Sequence, residues 1–406
     1  MLYLKNTEVA ATYHVSLRTV LNWIESTKKG KLDLTLHTEG KKTYVANTSS
    51  NILRIERLVA EGKKYRNSRS LKVISPKPKF YELFTQAQIY DIVRNLEMHH
   101  EIPRQYNYFD GGAHKWDSYV EHLAEEAVPN LLNSTVDLLE ENQTYIDNRL
   151  AKYKRVNVID IGVGNAMPAK AFLERLLRRG VLGRYIAIDI SDAMLDIASQ
   201  NIHKWFGNKI SFEGYQMDIN FERFSSIITD DYLKKGVKDT VNVVLFLGGT
   251  PYNFRRPDDA FRTINESMNP NDLLIYSDKL ETSDMHPEWF DYKLKPGKLA
   301  PVHRLVFDLL NIDESLYEAE MGFNPHSQQR YAQTRFTVGL TLKFEFQHGE
   351  RIVELDKGDT ILLWRSWQMD AAKVADQFYR NGFHLLHSSQ TDDEEYILAV
   401  ARVKCE

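Results

Sequence analysis

Two glycines and an acid are spaced as in a nucleotide-binding βα unit. The segment Val156–Ile161 predicts a buried parallel strand, and a turn with Gly162 and Gly164 follows it directly. The next predicted strand ends at Asp189. Neither glycine carries a Cβ, so the backbone can approach a ligand closely. A carboxylate at the end of the second strand can accept hydrogen bonds from both ribose hydroxyls, and the pattern therefore predicts a nucleotide-type site.

The residues after the turn indicate which nucleotide to expect. A dinucleotide fingerprint has a small residue three positions after its second glycine, but here Met167 stands there and Pro168 follows. A pyrophosphate would press against the start of the next helix, which these two side chains suit poorly. The pattern Asp160-Ile-Gly-Val-Gly164, with Asp189 downstream, instead resembles the S-adenosylmethionine (SAM) site of Rossmann-like methyltransferases, whose ligand has no phosphate. The alternative is an unrelated βαβ unit with a tight glycine turn.

The loops after the following strands are expected to contribute further contacts, because the carboxyl ends of parallel strands converge on one crevice. Met194 is expected to pack on the adenine, Asp218 to bind its amino group and Ile219 to pack on its ring. The predicted cofactor-binding residues are Asp160, Gly162, Gly164, Asp189, Ile190, Ser191, Met194, Asp218, Ile219, Phe246 and Gly248.

The loop after the fourth predicted strand narrows the family. Phe246–Asn253 reads Phe-Leu-Gly-Gly-Thr-Pro-Tyr-Asn, and an amphipathic helix and Met268–Tyr276 follow. This order resembles the histidine Nα-methyltransferases of ergothioneine biosynthesis, whose loop reads roughly Leu-Gly-Ser-Thr-Ile-Gly-Asn. Tyr108–Gly112 is similar to the Tyr/Phe-Asp-x-x-Gly segment of that family. The resemblance runs from about Tyr106 to the C-terminus, and it implies a SAM-dependent methyltransferase with a late β-rich insertion that binds the substrate.

The same resemblance implies a site for the methyl acceptor. Asn253 would hold its amino and carboxylate groups, and Tyr292 would be the carboxylate-binding tyrosine. Where the family has Glu-x-Ser against an imidazole, this chain has Trp364, Arg365 and Ser366. The change removes an acceptor for an imidazole N–H, and an aromatic ring with an arginine would suit a larger or acidic acceptor. The implied substrate-binding residues are Thr250, Asn253, Tyr292, Trp364 and Ser366.

The sequence identifies no general base, so the catalytic residues stay unknown. Methyl transfer to nitrogen needs a neutral amine, held in line with the C–S bond of the donor and shielded from water. The chain has one cysteine, Cys405, and no visible cluster of metal ligands. Neither a disulfide framework nor a metal site is therefore expected.

The first 79 residues differ in charge from the remainder. They hold 16 Lys and Arg against 6 acids, whereas the other residues hold 36 against 50. Thr7–Ile24 predicts two helices, with Thr7 and Ser16 as N-caps, and residues 32–37 and 42–45 predict a hairpin. This order resembles winged helix-turn-helix modules of the excisionase and MerR type, which implies DNA contacts. The implied DNA-binding residues are Arg18, Thr19, Asn22, Lys41 and Lys42. A helical appendage that binds a protein is the alternative.

The composition, with 43% hydrophobic and 27% charged residues, is that of a soluble globular protein. The sequence has no signal peptide and no apolar run long enough to span a bilayer, so a cytoplasmic location is expected. The fold class is α/β. The expected domains are a winged helix-turn-helix module at 1–75 and a methyltransferase domain at 76–406, with a helical cover at 80–150, a core at 151–280 and 370–406, and a β-rich insertion at about 285–369. Residues 75–78 predict a linker, and the core strands are predicted at 156–161, 185–190, 210–214, 241–247, 272–277 and 396–403. Within the insertion, residues 335–346, 352–355 and 360–364 predict a β-meander.

Three functions are compatible with these motifs. The first is SAM-dependent methylation of an amino-acid-like or other small acceptor at nitrogen. The second is DNA-binding regulation, in which the methyltransferase-like domain senses SAM or a metabolite. The third is methylation of a nucleic acid or protein that the basic N-terminal module guides. The acidic charge of the second domain and the absence of an Asn/Asp-Pro-Pro-Tyr loop argue against nucleic-acid chemistry there.

Overall fold

The computed structural model describes residues 3–13, 15–40, 42–66, 72–126, 128–229, 239–280, 299–324 and 326–404, with the side chains of 60–66 excepted. The chain forms two compact units, Met1–Lys72 and Val73–Glu406. Within the described residues, no helix is long and apolar enough to cross a membrane.

The first unit combines helices with a small antiparallel sheet in which β3 lies between β1 and β2. Ser16 caps the second helix as predicted, because its Oγ accepts the N–H of Thr19 at 3.1 Å. Thr7 is not a cap, since the first helix already begins at Asn6 and Lys5 occupies the N-cap position. The elements are β1 (Tyr3–Leu4), α1 (Asn6–Thr12), α2 (Leu17–Lys28), β2 (Leu36–Glu39), β3 (Lys42–Ala46) and α3 (Ser49–Arg66). The winged helix-turn-helix assignment stays a prediction.

The rest of the chain has the predicted α/β fold. Its strands are β4 (Lys72–Ile74), β5 (Arg155–Ile161), β6 (Leu182–Asp189), β7 (Phe212–Gln216), β8 (Thr240–Leu247), β9 (Leu273–Lys279), β10 (Tyr317–Asn324), β11 (Gln329–Phe336), β12 (Leu340–Phe346), β13 (Gly349–Leu355), β14 (Thr360–Trp367), β15 (Phe383–Gln390) and β16 (Tyr396–Val403). Its α-helices are α4 (Pro78–Leu83), α5 (Gln86–His99), α6 (Gly111–Glu125), α7 (Leu131–Glu141), α8 (Gln143–Leu150), α9 (Lys170–Arg178), α10 (Asp192–Phe206), α11 (Pro257–Ser267), α12 (Leu305–Leu309) and α13 (Ala371–Arg380). Short 3-10 helices lie at Arg104–Tyr108, Gly207–Lys209, Pro251–Asn253, Pro301–His303 and Glu314–Leu316.

The central sheet has the strand order β15-β16-β9-β8-β5-β6-β7. The strands from β9 to β7 run parallel, whereas β16 is antiparallel to both β9 and β15. From β5 the chain moves outward through β6 and β7, and it then returns to the other side of β5 as β8. Ligands of open α/β sheets bind at the carboxyl ends of the strands beside such a reversal. The topology therefore directs a site to the loops after β5 and β8.

Side chains that alternate along the central strands fill two separate cores. On one face, Val158 and Tyr185 pack in a cluster with residues of α7, α8, α9 and α10. On the other face, Ile159 and Ile186 pack with residues of α11 and α13. A parallel sheet covered on both faces has strands that read as nearly continuous apolar runs, which explains why these strands could be predicted.

The β-rich insertion does not form the predicted meander. The segment 335–346, expected to be one strand, is divided between β11 and β12, because the chain leaves the first sheet after Phe336. β11 then pairs with β10 and β14, while β12 pairs with β13 in a hairpin. The two resulting sheets have the orders β10-β11-β14 and β13-β12-β4. A strand from before the predicted linker thus completes the second sheet.

Candidate functional site

A cavity of about 1200 Å³ lies at the carboxyl ends of the central strands. The loops after β5, β6, β7 and β8 line it, together with α6, part of the insertion and the 3-10 helix Arg104–Tyr108. The topology therefore brings the residues expected on the cofactor side and on the acceptor side into one space. Of the residues predicted to bind ligands, those that line the cavity are Gly162, Gly164, Asp189, Ile190, Met194, Asp218, Ile219, Gly248, Thr250, Asn253, Trp364 and Ser366.

The turn after β5 can accommodate a ligand that approaches the backbone closely. Gly162 and Gly164 have φ angles of +66° and +54°, a region that residues with a Cβ rarely adopt. A Cβ on Gly162 would lie 3.1 Å from both Cγ2 and Oγ1 of Thr250. A Cβ on Gly164 would lie 3.7 Å from the indole nitrogen of Trp116. Side chains at these positions would therefore fill space between the turn and its neighbours.

Asp189 ends β6 beside this turn. Its Oδ2 accepts the backbone N–H of Gly164 at 3.3 Å, and its Oδ1 accepts that of Ser191 at 3.0 Å. Burial raises the pKa of Asp189 to about 6, although the backbone hydrogen bonds oppose that shift. The two N–H groups orient the carboxylate, and each oxygen has a further lone pair for a ribose hydroxyl.

Asp160, also predicted to contact the cofactor, lies behind the cavity wall. It is 4% exposed within β5, and its Oδ2 accepts the hydroxyl hydrogen bond of Tyr185 at 2.8 Å. Burial raises the pKa of Asp160 to about 7, and the negative charge of Asp189 adds to the shift. Asp160 therefore acts on the site through the protein and not by lining the cavity.

Ser191 and Phe246 also have internal contacts. The Oγ of Ser191 caps α10 by accepting the N–H of Met194 at 3.3 Å, and it donates to the backbone oxygen of Tyr108 at 2.8 Å. The ring of Phe246 packs edge-on against Phe261, with 5.6 Å between the ring centroids. Phe246 does not line the cavity, because side chains alternate along β8 and its ring lies in the core. Its contact with the cofactor stays a prediction.

The loop after β7 contributes an acid and an apolar side chain. Asn220 donates to Oδ1 of Asp218 from its backbone N–H at 3.0 Å and from its amide at 2.9 Å. Burial raises the pKa of Asp218. Ile219 and Met194 are nearly buried but reach the cavity, so they offer an apolar surface for a ring.

Asn253 is already hydrogen-bonded within the protein. Its Oδ1 accepts the indole N–H of Trp364 at 2.7 Å and an N–H of Arg104 at 3.2 Å. Its Nδ2 donates to the backbone oxygen of Gly249 at 2.9 Å. The tryptophan that stands in place of the family's acid thus presents a donor to Asn253. Tyr292, the expected partner for an acceptor carboxylate, lies outside the described residues.

Residues of β14 reach the cavity in alternation. Trp364 and Ser366 line it, whereas Arg365 does not. Arg365 instead forms an ion pair with Glu101, whose carboxylate also pairs with Arg255 at 3.1 Å. This corrects the expectation that Arg365 lies in the pocket, and the reason is the period of two along a strand.

The arginine in the cavity is Arg104, which the sequence did not single out. Its guanidinium lies 5.7, 5.5 and 5.8 Å from the ring centroids of Tyr108, Trp116 and Trp364. His303 also lines the cavity, and its ring stacks near Trp364. Burial, assisted by the charge of Arg104, lowers the pKa of His303 to about 3, so its ring is neutral. The signal available for Arg104 was its place just upstream of the segment that resembles the family.

The remaining predicted residues lie in the N-terminal unit. Arg18 and Asn22 are exposed on α2, and Lys42 is exposed on β3. Thr19 is partly covered, and Lys41 lies outside the described residues. In the parts of the chain described here, no three His, Cys, Asp or Glu side chains gather as a metal site.

Comparisons with solved structures give several similar proteins. A SAM-dependent methyltransferase from Clostridium acetobutylicum ATCC 824 is 10% identical, over 72% of this chain and 98% of its own, with a TM-score of 0.42. The CcbJ methyltransferase from Streptomyces caelestis is 14% identical, over 64% and 90%, with a TM-score of 0.36. The 1,6-didemethyltoxoflavin-N1-methyltransferase from Burkholderia thailandensis is 10% identical, over 80% and 92%, with a TM-score of 0.37. No curated protein matches this chain.

A protein-family match covers most of the second unit. Residues 89–403 match the family described as histidine-specific methyltransferase, SAM-dependent. That range contains every residue that lines the cavity. The glycine turn, the oriented acid at the end of β6 and the apolar wall fit an adenosine-type ligand. The chain therefore belongs to the histidine-specific, SAM-dependent methyltransferase family, and SAM is its cofactor.

Proposed function

We propose that this enzyme methylates a nitrogen of a small, amino-acid-like acceptor other than histidine. The observation that carries the proposal is the 2.7 Å hydrogen bond from Trp364 to Asn253. An imidazole N–H needs an acceptor, and the side chain that replaces the family's acid is itself a donor. Ser366 remains on the cavity wall and can form one hydrogen bond with an acceptor side chain.

The cofactor half of the cavity would hold SAM through the residues predicted for it. When bound, SAM supplies a methyl group that its sulfonium already activates. Gly162 and Gly164 would let the backbone approach it, Asp189 would accept the ribose hydroxyls, and Asp218 would accept the adenine amino group. The apolar side chain of Met194 would pack on the base. These assignments rest on the geometry of the loops after β5, β6 and β7.

The acceptor half favours an uncharged nucleophile. An amine attacks only when it has lost its proton, and a cavity with aromatic walls lowers the pKa of an amine by desolvation. Tyr108, Trp116 and Trp364 provide such walls, and the neutral ring of His303 adds no charge. The positive charge of Arg104 further disfavours an ammonium group beside it. Removal of water and correct orientation then account for the acceleration.

The proposal can be tested with the full-length protein. Calorimetric titration with SAM and S-adenosylhomocysteine (SAH) would first establish cofactor binding. Mass spectrometry would then measure methyl transfer to each standard amino acid and to the corresponding amines. We expect transfer to an amino acid other than histidine, and histidine as the preferred acceptor would overturn the proposal. Asn253→Ala should raise the acceptor KM, whereas Asn265→Ala, an amide that binds the backbone of Gly382 outside the cavity, should not.

A second proposal concerns the N-terminal unit, which we propose binds DNA. The supporting observations are its excess of basic residues and the exposure of Arg18, Asn22 and Lys42. Fluorescence anisotropy of the full-length chain with duplex DNA should show binding that weakens as salt rises, since phosphate contacts release counterions. Arg18→Ala should lower the affinity while SAH binding stays constant. No binding at low salt would rule this proposal out.

A further inference from the structure

Arg104 has a distinctive set of neighbours for a cation in a cavity. Its guanidinium is bordered by the rings of Tyr108, Trp116 and Trp364, and it donates to Oδ1 of Asn253 and to the hydroxyl of Tyr108. All of these partners are neutral. Among the described residues, no carboxylate oxygen lies within 4.0 Å of its nitrogens.

Two partly buried arginines of this unit that do not line the cavity have acidic partners. Arg365 pairs with Glu101, and Arg184 pairs with Glu213. A partly desolvated cation without a counter-ion is costly unless a ligand supplies one. Arg104 has no such partner among the described residues and lines the cavity, so its charge is available to a ligand.

Arg104 also has enough N–H groups left to bind a carboxylate. A guanidinium has five N–H groups, and two of its hydrogen bonds within the protein use Nε and Nη1. The Nη2 atom and the second hydrogen of Nη1 remain for a carboxylate, which a guanidinium can bind with two parallel hydrogen bonds. The available geometry thus fits a planar anion.

Asn253 adds a donor beside this cation. Both lone pairs of its Oδ1 accept hydrogen bonds, from Trp364 and Arg104, so the oxygen is not available to an ammonium group. One N–H of its Nδ2 is bonded to Gly249, and the other remains. The donors that remain on Arg104 and Asn253 match the carboxylate of an amino acid better than its amino group.

We propose that Arg104 binds the carboxylate of a ligand in this cavity, assisted by the amide of Asn253. Two sources supply this chemistry. The acceptor is one source, and this arm rests on the function proposed above. The methionine part of SAM is the other, because Trp116 lies next to both Arg104 and the turn at Gly164. In both cases a carboxylate supplies the counter-ion that the described protein residues do not.

The test compares Arg104→Met with Arg178→Met, an exposed arginine at the end of α9. Calorimetry would measure the affinities for SAH and for 5′-methylthioadenosine, which lacks the amino-acid part of SAH. It would also measure amino acids and the amines that lack their carboxylate, in the presence of 5′-methylthioadenosine. Loss of the charged hydrogen bonds should weaken the ligand that Arg104 binds by roughly 10- to 100-fold. Arg178→Met should bind every probe as the wild type does.

The outcomes separate the two sources. If Arg104→Met weakens the binding of SAH but not that of 5′-methylthioadenosine, Arg104 binds the cofactor carboxylate. If SAH affinity is unchanged but amino acids no longer bind more tightly than the corresponding amines, Arg104 binds the acceptor carboxylate. The inference is overturned if Arg104→Met changes neither the affinity for SAH nor that for amino acids. It is also overturned if the wild type binds no amino acid more tightly than its amine and Arg104→Met leaves SAH affinity unchanged. Amino acids that bind through Arg104 without being methylated would refute the proposed function alone. Arg104→Lys, which keeps the charge without the planar fork, covers the case in which Arg104→Met does not fold.

Discussion

Gly162→Ala tests whether the turn after β5 is shaped by its contact with the loop after β8. Gly162 has a φ of +66°, and an alanine there would be strained by about 1–2 kcal/mol. Its Cβ would also lie 3.1 Å from two atoms of Thr250, which the 3-10 helix Pro251–Asn253 holds in place. Displacing that residue should add about 1 kcal/mol or more. We therefore expect a loss of about 2–3 kcal/mol in the free energy of unfolding.

Gly180 provides a matched control for the backbone strain. Its φ is +67°, and an added Cβ would meet no atom within 4 Å. Gly180→Ala should therefore show only the first part of the cost, about 1–2 kcal/mol. Urea unfolding, monitored by tryptophan fluorescence, would measure both variants. Each would be made in the wild-type sequence and in a Thr250→Ala background, which lacks the close Cγ2 and Oγ1 atoms. The difference between Gly162→Ala and Gly180→Ala should then disappear.

The same variants report on ligand binding. Gly162→Ala should weaken SAH because a methyl group and a displaced Thr250 both intrude on the cavity, whereas Gly180→Ala should leave SAH affinity unchanged. The reasoning fails if Gly162→Ala is no less stable than Gly180→Ala, or if the two bind SAH equally well. The first result would deny the close contact, and the second would deny that the turn faces the cofactor.

Other variants should separate cofactor binding, buried charge and acceptor selection. Asp189→Asn should weaken SAH about 10-fold or more by calorimetry, and unchanged affinity would contradict its assignment to the ribose. Because the pKa of Asp189 is raised to about 6, the wild-type affinity should also fall as the pH drops below 6, and Asp189→Asn should be insensitive there. The pKa of Asp160 is raised to about 7 in the folded state, so its contribution to stability is complete below its unfolded pKa, near 4, and is lost as the pH rises through 7. The free energy of unfolding in urea should therefore fall less between pH 5 and pH 8 in Asp160→Asn than in the wild type. An equal fall in both proteins would contradict this. Trp364→Phe keeps an aromatic side chain but removes the hydrogen bond to Asn253, so it should alter the acceptor KM at constant SAH affinity; equal changes in both would refute the separation.

The central sheet could be predicted because its signals are local. Strands buried on both faces read as apolar runs, and the predicted strand 241–247 differs from the observed one, Thr240–Leu247, by a single residue. The edge strand Phe383–Gln390 was missed because it does not alternate: two adjacent leucines are followed by four polar residues, from His387 to Gln390. The insertion was misread as a meander because periodicity shows that a segment is extended but not which strand it pairs with.

The cofactor half of the site shared this advantage. Gly162, Asp189 and Asp218 each lie at the end of a strand or just after it, so the order along the chain was enough to bring them to one edge. Failures came from side-chain direction, which a shift of one residue along a strand inverts. Phe246 entered the core, and Arg365 turned away from the cavity. His303 was missed because its segment carries no chemical motif. Arg104 was missed because its one signal was its place just upstream of the segment that resembles the family.

In the acceptor half of the cavity, Trp364 determines which groups of Asn253 are available to a ligand. A carboxylate at position 364 would accept hydrogen bonds, and it would leave the oxygen of Asn253 available to an ammonium group. An indole there donates instead, and it fixes the amide with its oxygen toward Trp364 and Arg104. The replacement of one side chain thus reverses what its neighbour can offer, although Asn253 itself is kept. In the role proposed for Arg104, its charge makes this half of the cavity an anion site. We therefore expect an amino-acid-like acceptor other than histidine to be the better substrate.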